Sequence, residues 1–176
     1  MIMDLLTGTK IRLRPLETTD LDVLYEWENQ PGNWYAGASL TPFSRFYLEQ
    51  YIIGAQNDIY ADKQLRLIIE THQKQQAGII DLFDFDAHHR RAAVGILIGG
   101  PFRRRGYASE ALQLLIRYAK DVLSLHQLYC TIEENNPESV DLFARRGFVI
   151  TGTRQQWNRR GNKWANEDFL QLILEG

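Results

Sequence analysis

Apolar and polar positions alternate near the start of the chain. Ile11, Arg12, Leu13 and Arg14 take turns and stop at Pro15, the pattern of a first strand. Thr18 or Thr19 then caps a predicted helix through Leu21, Leu24, Tyr25 and Trp27. Residues 29–40 carry Pro31, Gly32 and Gly37 and are expected to form a loop. A second helix is predicted from Thr41 and Pro42. Phe43, Phe46, Tyr47, Tyr51 and Ile52 recur there at helical spacing, which makes them candidate core. Residues 65–70 and 77–85 are predicted strands joined by the polar turn 71–76. A second polar turn, 86–91, leads into a mostly apolar strand at 92–98, completing an antiparallel meander.

A long amphipathic helix follows over residues 106–123, with Ala111, Leu114, Leu115, Tyr118 and Val122 on one stripe. Residues 127–132 form a short apolar strand. Asn136 and Pro137 open a further helix as N-cap and first helical residue, and Gly147 ends it. Arg145 and Arg146 suit the negative end of that helix. Residues 148–157 and 163–174 are the last two strands, turned at 159–162. The strand at 92–98, the helix from Gly106 and the strand at Gln127 make a βαβ crossover, so those two strands run parallel. The expected fold class is α/β (α+β): a mixed, mostly antiparallel sheet of about seven strands, one parallel crossover and about four helices. No Pro/Gly/Ser linker divides the chain, so residues 1–176 read as a single domain.

Composition narrows the function classes. The 176 residues are 44% hydrophobic and 24% charged, as in ordinary globular domains. Lys+Arg 20 against Asp+Glu 22 gives a net charge of -2, so binding to nucleic acid is not expected. The single cysteine, Cys130, excludes an internal disulfide and a Cys-rich zinc site. His88 and His89 are adjacent in a turn without spaced partners, so no metal site is expected. The opening MIMDLLTGTK does not read as a signal peptide, and no apolar run approaches the roughly 20 residues that cross a bilayer. A cytoplasmic location and no membrane partner are therefore expected.

Between the strand at 92–98 and the long helix lies Gly99-Gly100-Pro101-Phe102-Arg103-Arg104-Arg105-Gly106-Tyr107-Ala108. Three arginines stand at a helix start, where amides lack partners and the dipole is positive. Gly106 and Ala108 leave the backbone uncovered. Charge, dipole and missing side chains suit a phosphate or pyrophosphate. A solvated arginine face beside an ordinary helix start accounts for the same residues. The spacing fits neither the dinucleotide fingerprint nor the P-loop.

Arg103-x-x-Gly106-x-Ala108 resembles the Q/R-x-x-G-x-G/A acyl-CoA loop of the GNAT superfamily of acetyl-CoA-dependent N-acyltransferases. Asn136-Pro137-Glu138-Ser139, followed by Leu142-Phe143-Ala144-Arg145-Arg146-Gly147-Phe148, looks like the family's N-x-x-A/S and L-Y/F-x-x-x-G-F segments. Ile11 to Leu16 with Asp20-Leu21, and Ala77-Gly78-Ile79-Ile80-Asp81, are similar to the branch of spermidine and ribosomal-protein N-terminal acetyltransferases. The resemblance spans nearly the whole chain and implies a GNAT-like fold with acetyl-CoA as co-substrate. It further implies that the strand before the loop and the parallel strand after the helix splay apart around acetyl-CoA. The backbone of Ile96, Leu97 and Ile98 would then meet the pantetheine arm. Arg103, Arg104, Arg105, Gly106, Tyr107, Ala108 and Ser109 would hold the pyrophosphate. Asn136, Ser139 and Phe143 would line the arm and the thiol end, and the Leu97 N–H would polarise the thioester carbonyl. Asn136 as a plain N-cap, Ser139 as a first-turn residue and Phe143 as core are equally complete readings.

The implied reaction is direct attack of a primary amine, of a small molecule or a peptide N-terminus, on the thioester. The amine must lose a proton before attack. Asp81 and Glu133 are the preferred candidate bases, ahead of Glu134, Glu26 and Glu28. Many members of the family carry tyrosine where Phe143 stands, and phenylalanine has no proton to give to the departing thiolate. Tyr129, Tyr107 and Cys130 are the alternatives. A catalytically weak or inactive acyl-CoA-binding module is the competing reading. Residues 29–48 contain no Asp or Glu, which argues against a polyamine acceptor. Trp34 and Tyr35 are candidates for lining an acceptor pocket, and a homodimer is compatible with all of this.

Overall fold

The computed structural model describes residues 5–34, 40–55 and 58–174. Its strands are β1 (Ile11–Pro15), β2 (Leu65–Thr71), β3 (Gln76–Asp86), β4 (Arg91–Ile98), β5 (Gln127–Glu133), β6 (Val149–Arg160) and β7 (Lys163–Ile173). The helices are α1 (Leu21–Glu28), α2 (Pro31–Trp34), α3 (Arg45–Gly54), α4 (Ile59–Asp62), α5 (Tyr107–Asp121) and α6 (Pro137–Ala144), with 3-10 turns at Thr18–Asp20 and Gly100–Phe102. All seven strands form one sheet in the order β1-β2-β3-β4-β5-β7-β6. Every neighbouring pair is antiparallel except β4 and β5, which are parallel, as the crossover predicted.

Side chains alternate across the strands, and β2, β3 and β4 feed two cores. One core lies on the face covered by α5 and α6. It holds Ile80, Leu82, Val94, Leu128, Cys130 and Ile132 from the sheet with Ala111, Leu112, Leu115 and Phe143 from the helices. The other lies under α1 and α3 and joins Ile68 and Ile79 to Leu24, Trp27, Leu48 and Ile52.

The front of the chain departs from expectation in three places. Part of 29–40 is helical, as α2, while Tyr35 and Gly37 fall outside the described residues. The second helix begins at Arg45, later than Thr41 and Pro42, because Ser44 caps it by accepting from the Tyr47 amide at 3.0 Å. Phe46 and Tyr47 are exposed, and Leu48 and Ile52 are the buried residues of α3. Aromatic spacing alone did not identify the inner face.

Candidate active site

β4 and β5 pair only at Arg91↔Gln127, Ala92↔Leu128 and Ala93↔Tyr129. Beyond that point β4 stays with β3 as far as Ile98↔Gly78, while β5 follows β7 as far as Glu133↔Glu167. The two parallel strands therefore part into a V, leaving one edge of β4 without a strand partner over residues 94–98.

The ladder shows which groups line that edge. The Gly99 N–H donates to the Ala77 carbonyl at 2.8 Å, on the β3 side. On the opposite side the Arg90 carbonyl accepts from the His126 N–H at 2.6 Å. The β3–β4 register is unbroken from Gly78↔Ile98 to Phe83↔Ala93, so backbone groups alternate strictly between the two edges. Val94, Ile96 and Ile98 face the V, and Leu97 faces Ile79 of β3. This corrects one expectation: the Leu97 N–H is directed away from the cleft, and the amides on the open edge are those of Ile96 and Ile98. A one-residue step moves a strand amide to the opposite edge of the strand, which a motif match does not resolve.

Beyond Ile98 the chain turns through Gly100–Phe102 into the arginine loop. Arg104 (φ 60°) and Gly106 (φ 82°) both adopt left-handed backbone. The three arginines are exposed. The Arg103 Nε donates to the Ile98 carbonyl at 3.2 Å, Arg105 lies 5.7 Å over the Phe102 ring, and Arg104 reaches Glu138 of α6 at 3.3 Å. Gly106 is the N-cap of α5 and supplies no side-chain acceptor to it. The Glu110 N–H is bonded to the Gly106 carbonyl at 3.2 Å. The amides of Tyr107, Ala108 and Ser109 precede it, in the turn where an α-helix has no carbonyl to offer. A side chain at 106 would meet the Lys10 ammonium at 3.0 Å, so glycine keeps this corner open in both backbone and space. Bare amides, a positive helix end and guanidinium groups suit the phosphates of acetyl-CoA.

Sequence reasoning missed two residues here. Lys10 donates to the Arg105 carbonyl at 3.2 Å, and Arg146 donates to the Ser109 hydroxyl at 2.7 Å. Both lie far from the loop in sequence, and only the packing of β1 and α6 against α5 brings them near.

On α6, Asn136 caps the helix: its Oδ1 accepts from the Ser139 N–H at 3.2 Å. Asn136 is exposed and Ser139 half-buried. Phe143 is buried in the core and meets Phe148 edge-to-face at 5.0 Å. Cys130 is buried too, and burial pushes its thiol up to about 12, so it is neither a thiolate nucleophile nor a ready acid at neutral pH. Tyr129 occupies the last parallel pair, where the strands part, with its ring stacked 5.3 Å from Phe169. Burial, followed by the charge of Asp84, raises its phenol above the ordinary value. Tyr107 is half-buried beside Phe102 at the start of α5.

Both preferred bases are engaged by arginine. The two Asp81 oxygens accept from Arg66 Nε and Nη2, each at 2.8 Å, and Arg66 Nη1 donates to Glu28 at 2.6 Å. Glu133 accepts from Arg160 Nε at 3.2 Å and also from Nη2. Glu134 accepts from the Asn166 backbone and side chain at 2.9 and 3.1 Å. Glu26 is exposed on α1.

This arrangement, a forked pair of parallel strands with an amide-lined edge and a cationic helix start beyond it, is that of an acyl-CoA-dependent transferase. Residues 10–149 match the acetyltransferase (GNAT) domain family, and the chain belongs to it. It is an N-acetyltransferase with acetyl-CoA as co-substrate. Spermidine N(1)-acetyltransferase of Escherichia coli (strain K12) is 26% identical over 145 residues, 81% of this chain and 74% of that protein. An uncharacterized N-acetyltransferase, p20, of Bacillus licheniformis is 27% identical over 174 residues, 97% of each chain. Among solved structures, spermidine N-acetyltransferase from Vibrio cholerae in complex with CoA and spermine superposes with a TM-score of 0.83 at 23% identity, covering 94% of this chain and 96% of that one. No helix among the described residues is long and apolar enough to cross a membrane.

Proposed function

We propose that the protein moves the acetyl group to a primary amine of low charge, on a small molecule or a peptide N-terminus, rather than to a polyamine. One observation carries this reading: four carboxylates around the fork are held by three arginines. Asp81 and Glu28 share Arg66, Glu133 holds Arg160, and Glu167 holds Arg154 at 2.9 Å. A polycation needs several carboxylates in excess of the local cations, and these pairs leave little net negative charge for it. The absence of Asp and Glu from residues 29–48 acts in the same direction.

Transfer proceeds by direct attack in a ternary complex. One amide on the open edge of β4, that of Ile96 or that of Ile98, is the donor for the thioester carbonyl, and the 103–109 loop holds the phosphates. With both preferred carboxylates bonded to guanidinium groups, the amine proton passes to solvent water. A cytoplasmic site of action fits a chain whose cysteine is buried and unpaired.

A panel assay of thiol release tests the acceptor class with monoamines, short peptides bearing free N-termini, spermidine and spermine. The highest kcat/KM is expected for a monoamine or a peptide. A kcat/KM for spermidine tenfold above every other acceptor overturns the proposal. Phe143, buried and without a proton, favours a second reading, a weak or inactive acyl-CoA-binding module. Acetyl-CoA binding by calorimetry with no thiol release on any amine decides for it.

A further inference from the structure

We propose that Arg146 is a further binding residue for the phosphates of acetyl-CoA, acting from beyond the end of α6 on the first turn of α5. The inference rests on the acyl-CoA reading of the 103–109 loop. Arg146 lies just past Arg145, the C-cap of α6, and its own N–H bonds the Phe143 carbonyl at 3.0 Å. An arginine at a helix end ordinarily folds back on the last carbonyls. Here the side chain leaves the helix and its Nη2 donates to Ser109 Oγ at 2.7 Å.

The half-buried guanidinium is incompletely used. Its Nε is buried and, among the described residues, has no hydrogen-bond partner. That N–H is sealed from solvent and so from a ligand, but the guanidinium charge favours an anion, and Nη2, beside Ser109, is the group that stands at the turn. The neighbouring turn asks for the same ligand, because the amides of Tyr107, Ala108 and Ser109 lack carbonyls and Gly106 leaves the backbone bare. By accepting from Arg146, Ser109 has one lone pair taken and its hydroxyl proton free to donate elsewhere. Guanidinium, hydroxyl and amides together form a phosphate-binding donor set. The loop arginines differ: they are exposed, and Arg104 already shares its charge with Glu138. Arg146 is the cation in the less solvated position, where a charge acts more strongly.

The test is calorimetric affinity of the full chain for acetyl-CoA and for S-acetylpantetheine, which lacks the phosphates, with melting points read with and without CoA. Arg146→Gln is expected to weaken acetyl-CoA about tenfold or more. Acetylpantetheine affinity should stay unchanged, and the CoA-induced rise in Tm should shrink. Arg146→Lys should recover part of the loss, since it restores charge without the fork. Ser109→Ala should weaken acetyl-CoA and be non-additive with Arg146→Gln. Wild-type affinity in Arg146→Gln, with only the ligand-free Tm lowered, makes Arg146 a strut between helices and overturns the proposal. Equal losses for both ligands overturn it as well. Gly106→Val serves as the control for the loop. If it weakens acetyl-CoA while Arg146→Gln does not, only this inference falls; if neither does, the loop reading falls with it.

Discussion

Asp81 owes its chemistry to its partner. In sequence it is a charge inside an apolar strand, which points to function or to pairing. In the fold it is one jaw of a clamp: burial opposes the charge of Arg66, but Asp81, followed by Tyr51 and Glu28, holds its pKa above the usual value. Asp81→Asn leaves a mostly buried guanidinium with two of its three acceptor oxygens and with Glu28 as its remaining carboxylate. The expected loss is about 3 kcal/mol of stability, read by urea unfolding, with thiol release per folded molecule kept within a few-fold. A loss of kcat greater than a hundredfold at unchanged stability returns Asp81 to the role of base. Tyr129 runs the other way, from a minor candidate to the phenol at the fork. A phenol holds its proton at neutral pH in any case, as a donor to a departing thiolate requires, and burial, which raises its pKa, makes it the weaker acid. Tyr129→Phe preserves the stack on Phe169. It should lower kcat about a hundredfold at unchanged acetyl-CoA affinity, in single-turnover measurements. An unchanged kcat assigns the proton to water.

At the scale of elements, the fork depends on how closely β3 is held to β4. A Cβ at Gly78 would lie 2.2 Å from the Leu97 carbonyl oxygen and 3.1 Å from the Ile98 Cα, both backbone atoms. Gly78→Ala must therefore push the strands apart at the end of β4 that lines the V. The expected cost is about 2 kcal/mol in chemical unfolding, together with weaker acetyl-CoA binding as the Ile96 and Ile98 amides shift. Retained stability and affinity would show that this end of β4 adjusts freely. Most of this framework was legible in the chain. Alternation marked β1, apolar runs between polar turns marked β2 to β4, the α5 stripe was correct at Ala111, Leu114 and Leu115, and Asn136 capped α6 as expected. What was not legible depends on more than one element. The edge faced by Leu97 follows from a register with β3, and the burial of Leu48 in place of Phe46 follows from where α3 meets the sheet. The link from Arg146 to Ser109 joins a residue beyond the end of α6 to one on α5, with no sequence pattern between them.

For the molecule as a whole, an ionic lock secures one end of the sheet and the fork opens at its middle. β2 to β4 carry packed side chains on both faces, while residues 149–157 of β6 at the other margin are all exposed. The covered end carries an ionic lock. Asp20, with no exposed side-chain surface, accepts from Arg14 at 2.7 and 2.8 Å, from the Glu17 N–H at 2.8 Å and from Gln76 at 3.2 Å. Arg14 also reaches Glu70 at 2.5 Å, and Arg12 joins Glu70 from the same strand. The lock ties β1, the turn before α1, β2 and β3 together. Burial pushes the Asp20 and Glu70 carboxyls up, but their hydrogen bonds to arginine outweigh it and both end below the ordinary carboxylate range. A group with a depressed folded pKa binds its proton less readily folded than unfolded. Its contribution is complete above the unfolded pKa, about 4, and is lost as pH falls through the folded value. Thermal midpoints should therefore be flat from neutrality to about pH 5 and fall steeply below about pH 4. Asp20→Asn should cost about 3 kcal/mol at pH 7, because it strands Arg14 in a buried site. It should also flatten the acid limb, since one of the two titrating groups is gone. Acetyl-CoA affinity at pH 7 should not change, because the lock and the fork share no residue. An acid limb as steep in Asp20→Asn as in the wild type would place the acid sensitivity outside this lock.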